Sequence, residues 1–198
     1  MSEAKTFRYQ GVDLEYFSHR YNVAWGNERT IEIPIALYHL EEFSGSRILE
    51  VGNVLGCYVK RAWDCVDLYD SSPGLIKADI LTFSPAIPYD FIFSISTLEH
   101  VRYDEPTKDP TALKQAIEHL RRLLAPGGQL VVTLPFGYNP AVNHEVEVGC
   151  LCIVPCTFMR RISADNLWEE CTREQALVCH YGNPYSAANA IVIVRSSG

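Results

Sequence analysis

From Arg47 onward, short apolar runs alternate with polar turn segments. Arg47-Ile-Leu-Glu-Val51 runs into Gly52, and Asp64-Cys-Val-Asp-Leu68 and Tyr89-Asp-Phe-Ile-Phe-Ser94 follow. Gln129-Leu-Val-Val-Thr-Leu-Pro135 is the clearest run, and Ala190-Ile-Val-Ile-Val194 closes the chain. Each is short and rich in β-branched or aromatic residues, so each predicts a buried strand. Helical spacing marks two other stretches. Between Asn27 and Phe43, residues Ile31, Ile35, Tyr38 and the Leu37/Leu40 pair fall near one face, with Ser44-Gly45-Ser46 as the stop. Pro34 must then sit in the first turns or kink the helix. In the second, Asp109 is the expected N-cap and Pro110 the first helical residue. Leu113, Ala116, Ile117, Leu120 and Leu124 form its stripe, and Pro126-Gly127-Gly128 ends it. Residues 1–20 predict a small cap or hairpin. Strands alternating with helices imply an α/β fold with a mainly parallel central sheet and helices on both faces. In such a sheet, ligands bind at the carboxyl ends of the strands.

Length and composition narrow the classes. A chain of 198 residues with 47% apolar and 21% charged residues fits one globular domain. We divide it into an N-terminal cap and helix (1–45), a first half of the sheet (46–136) and a second half (137–198). The net charge of −7 argues against nucleic acid as a partner. The pairs Lys60-Arg61, Arg121-Arg122 and Arg160-Arg161 read as solvated surface charge. No stretch approaches the ~20 apolar residues of a membrane span. Seven cysteines, an odd count, with a polar N-terminus predict a reduced, cytoplasmic protein.

Four segments at predicted strand ends carry candidate chemistry. Gly52, in Glu50-Val-Gly-Asn-Val-Leu-Gly56, lets the backbone pass close to a ligand, or serves a plain tight turn. Asp67, 15 residues after Gly52, can accept both hydroxyls of a ribose, or be a solvated strand-end acid. Asp79 with Ile80 can hold an exocyclic amine and pack on a purine, or cap a loop. Ser94, Ser96, Glu99 and His100 crowd the turn beyond a buried strand, which is a site signal.

In this order the segments resemble class I S-adenosylmethionine-dependent methyltransferases of the small-molecule type, a Rossmann-like fold, over residues 47–135. Arg-Ile-Leu-Glu-Val-Gly52 matches the first motif, Val66-Asp67 the ribose-binding acid and Ala78-Asp79-Ile80 the adenine-side motif. Tyr89–Ser94 with Leu98-Glu-His-Val101 matches the fourth-strand motif, and Leu123-Leu-Ala-Pro-Gly-Gly-Gln-Leu130 the turn before the fifth strand. The flanks, through Tyr21-Asn22, Trp25, Asn27-Glu28-Arg29 and Asn183–Ala190, look like an uncharacterised bacterial subfamily. The resemblance implies S-adenosyl-L-methionine as cofactor. Glu50, Gly52, Asn53 and Gly56 would form the loop along its methionine part. Asp67 would hold the ribose, Leu68 would flank the adenine, Asp79 would take the adenine amine, and Ile80 would pack on the ring. Backbone near Ser94 would take the methionine ammonium. Two departures stand out: Val54 replaces the middle glycine of the first motif, and Gly56 to Asp67 leaves room for barely two helical turns. The absence of Gly-x-Gly-x-x-Gly argues against a nicotinamide cofactor.

Methyl transfer from a sulfonium mainly requires alignment, and needs a base only where the nucleophile must lose a proton. His100 is the first candidate base and Glu99 the second, with a capping pair as the alternative for both. His144 and Glu145, beside Tyr138 and Asn139, lie in a loop that the resemblance implies faces the acceptor, where they are a candidate base or substrate clamp, or part of a mobile surface loop. His19, Tyr21, Trp25 and Arg29 are a candidate lid or ordinary packing. His144 with Cys150, Cys152 and Cys156 matches zinc spacing imperfectly, so no metal is expected. The leading expectation is a methyltransferase with a small-molecule or sugar-linked acceptor. The alternative is a non-catalytic member of the fold serving as a binding or partner subunit.

Overall fold

A computed structural model describes residues 5–43, 46–149, 151 and 155–198. The chain opens on a hairpin of β1 (Thr6–Tyr9) and β2 (Val12–Glu15). Gln10 and Gly11 turn it, both at positive φ (49° and 84°), a backbone twist that matches the flanking strands. Helix α1 (Arg29–Glu41) follows and keeps Pro34 inside it. The proline cannot donate to the carbonyl of Thr30, one turn earlier. That carbonyl instead accepts the backbone N–H of Phe17 at 2.8 Å. The proline is thus absorbed by a contact from the segment that leads into the helix.

The central sheet has eight strands in the order β5-β4-β3-β6-β7-β10-β8-β9. Strands β3 (Ile48–Val51), β4 (Asp64–Asp67), β5 (Ile76–Lys77), β6 (Tyr89–Ile95) and β7 (Leu124–Pro135) are mutually parallel. β8 (Cys156–Arg161), β9 (Trp168–Cys171) and β10 (Ala190–Ser197) extend the sheet by antiparallel pairing. Side chains alternate across it. Phe91, Phe93, Ile95 and Val131 bury against Ile31 and Ile35 of α1. Ile92, Leu130, Val132 and Leu134 bury with Leu113, Ala116, Ile117 and Leu120 of α2 (Ala112–Arg122). α3 (Pro140–Glu147) and α4 (Arg173–Leu177) share the α2 face through Val142, Val146 and Ala176. The expected parallel sheet with helices on both faces is therefore what forms.

Three local expectations need correction. Asp109 and Pro110 lie in the turn before α2, where Asp109 accepts the Thr111 N–H at 2.8 Å and its carbonyl takes the Ala112 N–H at 3.2 Å. Leu124 and Pro126-Gly127-Gly128 belong to β7, not to a helix end. Pairing jumps from Tyr89↔Leu124 to Phe91↔Gln129, so the glycines are absorbed in a bulge. Between β3 and β4 only one 3₁₀ turn forms, at Leu55–Cys57. The buried Glu50 carboxylate takes the N–H groups of Val54 and Leu55, the donors a longer helix would present at its start.

Candidate active site

The chain leaves β3 toward β4 and β5 on one side and returns to β6 on the other. The loops after β3 and β6 therefore diverge at the strand tips, where open α/β sheets hold their ligands. Gly52 stands at that point with φ of +81°, its N–H continuing the ladder to the Val66 carbonyl at 2.9 Å. A Cβ here would lie 2.3 Å from the hydroxyl of Thr97 in the opposite loop. Beneath the loop, fully buried Glu50 accepts from Val54 N at 2.9 Å, Leu55 N at 2.5 Å and the Trp63 indole at 2.9 Å. Burial raises its pKa, and these donors partly offset the rise.

A cavity of about 470 Å³ opens above the tips, within the usual range for small ligands. Gly52, Asp67, Leu68, Asp79, Ile80 and His100 all line it. Asp67 is oriented by backbone: one oxygen accepts Tyr69 N and Asp70 N, both at 2.8 Å, and the other accepts Asn53 N at 3.3 Å. A carboxylate has about four acceptor sites, so capacity remains for a ligand hydroxyl. Asp79 accepts Leu81 N at 3.0 Å through one oxygen and pairs with Arg102 through the other. Arg102 also binds Glu105, which accepts the Tyr69 hydroxyl at 2.9 Å, and these side chains rim the cavity.

The remaining expected residues stand off the cavity wall. Ser94 is buried, its hydroxyl donating to the Val51 carbonyl at 3.0 Å. The Asn53 amide donates to Asp70 at 2.9 Å, and Gly56 gives the Asn53 side chain its space. Glu99 lies behind His100, 3.7 Å from its Nε2. His144 is exposed on α3, and Glu145 is buried beside it. Its neighbours reach the site instead: the Tyr138 hydroxyl donates to Asp104 at 2.9 Å, and Asn139 Nδ2 donates to the Glu99 carbonyl at 2.7 Å. Asp104 also holds His100 Nδ1. Burial, then the Asp104 carboxylate, pushes the Tyr138 hydroxyl up to about 12, so it stays a neutral donor.

A buried polar cluster adjoins His100. α1 and the residue before it supply Glu28, Arg29 and Glu32, and Arg29 pairs with Glu32. Glu32 accepts the hydroxyls of Ser96 at 2.5 Å and Thr133 at 2.7 Å, tying α1 to the tips of β6 and β7. Glu99 completes the cluster at 1% exposure, and burial lifts its pKa well above the ordinary carboxyl value. The native state thus retains a proton that the unfolded chain releases above about pH 4.3. Stability contributed by that proton falls as pH rises toward the folded value. Glu99→Gln, neutral at every pH, is expected to flatten this decline without lowering stability at pH 7, as checked by thermal melts across pH. A melting temperature lowered at neutral pH would show instead an ionised, structurally paired Glu99.

Sequence reasoning did not single out Thr97, Arg102, Asp104 or Glu105. The dense charge in Val101-Arg-Tyr-Asp-Glu-Pro106, directly after Glu99-His100, was the available signal. Of the candidate lid, His19 and Tyr21 set their rings against Tyr58, at 5.4 and 5.6 Å, just past the Gly52 loop. Trp25 is half exposed and the Arg29 side chain is 12% exposed. Cys150 and Cys152 lie outside the described residues, and Cys156 Sγ donates to the Leu151 carbonyl at 3.3 Å. No grouping of three metal-ligating side chains occurs among the described residues. None of the described helices is long and apolar enough to cross a membrane.

No family model matches the sequence, and no curated protein matches it. Solved structures do. N-methyltransferase NodS from Bradyrhizobium japonicum WM9, in complex with S-adenosyl-L-homocysteine, is similar over 88% of this chain and 90% of its own, at 20% identity and a TM-score of 0.52. A SAM-dependent methyltransferase from Archaeoglobus fulgidus is similar over 90% and 98%, at 12% identity and a TM-score of 0.54. The chain therefore has the Rossmann-like fold of the class I S-adenosylmethionine-dependent methyltransferases. Its connection from β3 to β4 is short, with one 3₁₀ turn at Leu55–Cys57 where a parallel crossover usually carries a helix.

Proposed function

We propose that this protein is an S-adenosylmethionine-dependent methyltransferase acting on a small-molecule or sugar-linked acceptor. The observation that carries the reading is the cavity at the switch point, with a side-chain-free Gly52 at one end and the backbone-oriented Asp67 at its rim. Its residues fit a nucleoside. Asp67 has acceptor capacity left for a ribose hydroxyl, and Leu68, Ile80 and Val101 offer apolar wall for a purine. Asp79 can take an exocyclic amine on the oxygen that accepts Leu81 N. NodS, of the same fold, is an N-methyltransferase solved with the demethylated cofactor, which supports the assignment.

When bound, the cofactor supplies a methyl group on a sulfonium, already joined to a good leaving group. The protein's work is then alignment and proton handling. Gly52 and Thr97 bring the tips of β3 and β6 into close approach, which fixes the width of the cavity at this end. Asp104 holds His100 Nδ1 as the protonated nitrogen, which leaves Nε2 able to take a proton from the acceptor. Asp67→Ala removes the charged acceptor for the sugar. It is expected to weaken S-adenosylhomocysteine binding by about 1–3 kcal/mol, roughly tenfold to a hundredfold, in isothermal titration. Undiminished affinity would place the ribose elsewhere.

A further inference from the structure

The cluster behind His100 holds more carboxyls than cations, and Glu99 keeps its proton there. Three carboxyls, Glu28, Glu32 and Glu99, share one guanidinium, Arg29, and all four side chains are buried or nearly so. Two of the carboxyls have protein partners. Glu28 accepts the Ala188 N–H at 3.1 Å, and Glu32 takes Arg29, Ser96 and Thr133. Glu99 is less well served: its Oε1 lies 3.7 Å from His100 Nε2, and its Oε2 has no hydrogen-bond partner among the described residues, at 1% exposure. An orphaned buried carboxyl is costly to keep unless something binds it.

The same corner is walled by π-faces. Tyr138 stands against His100 at 4.8 Å, Tyr181 at 5.3 Å and Tyr103 at 5.7 Å between ring centroids. Tyr181 is 38% exposed, so the wall is open to solvent. Burial, with the Glu28 and Glu99 carboxylates nearby, raises the Tyr181 pKa, so its ring stays neutral. Neutral tyrosine faces attract a cation and hold a hydroxylic or aromatic skeleton equally well.

We propose that the acceptor is an amine, bound as its ammonium between Glu99 and the Tyr138–Tyr181 wall, with His100 beside it; this rests on the methyltransferase reading. An ammonium beside Glu99 supplies charge and donor together and so lets the carboxyl release its proton, whereas an alcohol supplies a donor but no charge. For reaction, the ammonium passes one proton to His100 Nε2. The freed nitrogen lone pair forms the new N–C bond as the methyl C–S bond breaks, and the electron pair of that bond stays on sulfur. The methylated nitrogen carries the positive charge until it loses a proton to solvent. Glu99 is a binding residue in this scheme, and Asp104 a positioning residue.

The test is saturation-transfer NMR and calorimetry on the full chain, with and without S-adenosylhomocysteine. The probes are two pairs of isosteres, 2-phenylethylamine with 2-phenylethanol and glucosamine with glucose. The proposal expects the amine of at least one pair to bind about tenfold or more tightly than its alcohol, the worth of one charged hydrogen bond. Glu99→Gln should erase that preference while S-adenosylhomocysteine affinity stays within about twofold. Glu118→Gln, at an exposed position on α2 away from the site, should leave it intact and so control for general disruption. Equal or absent binding of amines and alcohols by protein that binds S-adenosylhomocysteine overturns the proposal. So does a preference that survives Glu99→Gln. Failure to bind S-adenosylhomocysteine strikes the methyltransferase reading instead, and the amine preference is then judged from the titrations made without it.

Discussion

Replacing Gly52 with alanine is expected to abolish measurable S-adenosylhomocysteine binding and to lower the melting temperature by about 5–10 °C. Two separate effects add. The residue sits at φ of +81°, which an L side chain adopts only with strain of about 1–3 kcal/mol. The added Cβ also meets the Thr97 side chain, with its Oγ1 at 2.3 Å and its Cβ at 2.8 Å. Relief requires the tips of β3 and β6 to part, and those tips frame the cavity. A calorimetric titration and a thermal melt of the same sample separate the outcomes. Wild-type affinity in a destabilised Gly52→Ala protein would mean that the loop contact serves the fold alone.

Glu50→Ala should cost more stability than any other single change near the site, about 3–5 kcal/mol. It leaves the N–H groups of Val54 and Leu55 and the indole N–H of Trp63 without their acceptor in a region where Leu55 is fully buried. Glu50→Gln keeps an acceptor oxygen and should recover more than half of the loss. Because the Trp63 indole loses its carboxylate, its fluorescence should shift in the alanine variant before global unfolding. A stable Glu50→Ala protein with an unchanged Trp63 signal would refute the view that this carboxylate builds the short loop.

What the sequence disclosed, and what it withheld, follows from the range of the interactions. The strands were legible because burial on both faces leaves an uninterrupted apolar run, as in Ile48–Val51 and Tyr89–Ile95. The placement of Asp67 and Asp79 was legible because a residue at a strand tip inherits its position from the strand. The long-range pairings were not. Glu32 finds Ser96 and Thr133 from 64 and 101 residues away, and Arg102 reaches Asp79 from the next loop. Periodicity reports which face a residue occupies but says nothing of its partner. The same limit explains Ser94, whose polarity suggested a ligand contact although its hydroxyl is satisfied by Val51. His144 looked well placed by its sequence distance from β7, yet the turn of α3 carries it to solvent while Tyr138 and Asn139 face inward. The missing crossover helix was half visible, since few residues separate Gly56 from Asp64, but the carboxylate that lets the chain do without it lies back in β3.

All of these roles require that a nucleoside occupy the cavity between Gly52, Asp67 and Asp79. Isothermal titration of the wild-type protein with S-adenosylhomocysteine, set beside NAD under the same conditions, examines that directly. The account predicts one saturable site for S-adenosylhomocysteine and no heat with NAD. No binding of S-adenosylhomocysteine, or saturable binding of NAD alone, would contradict it.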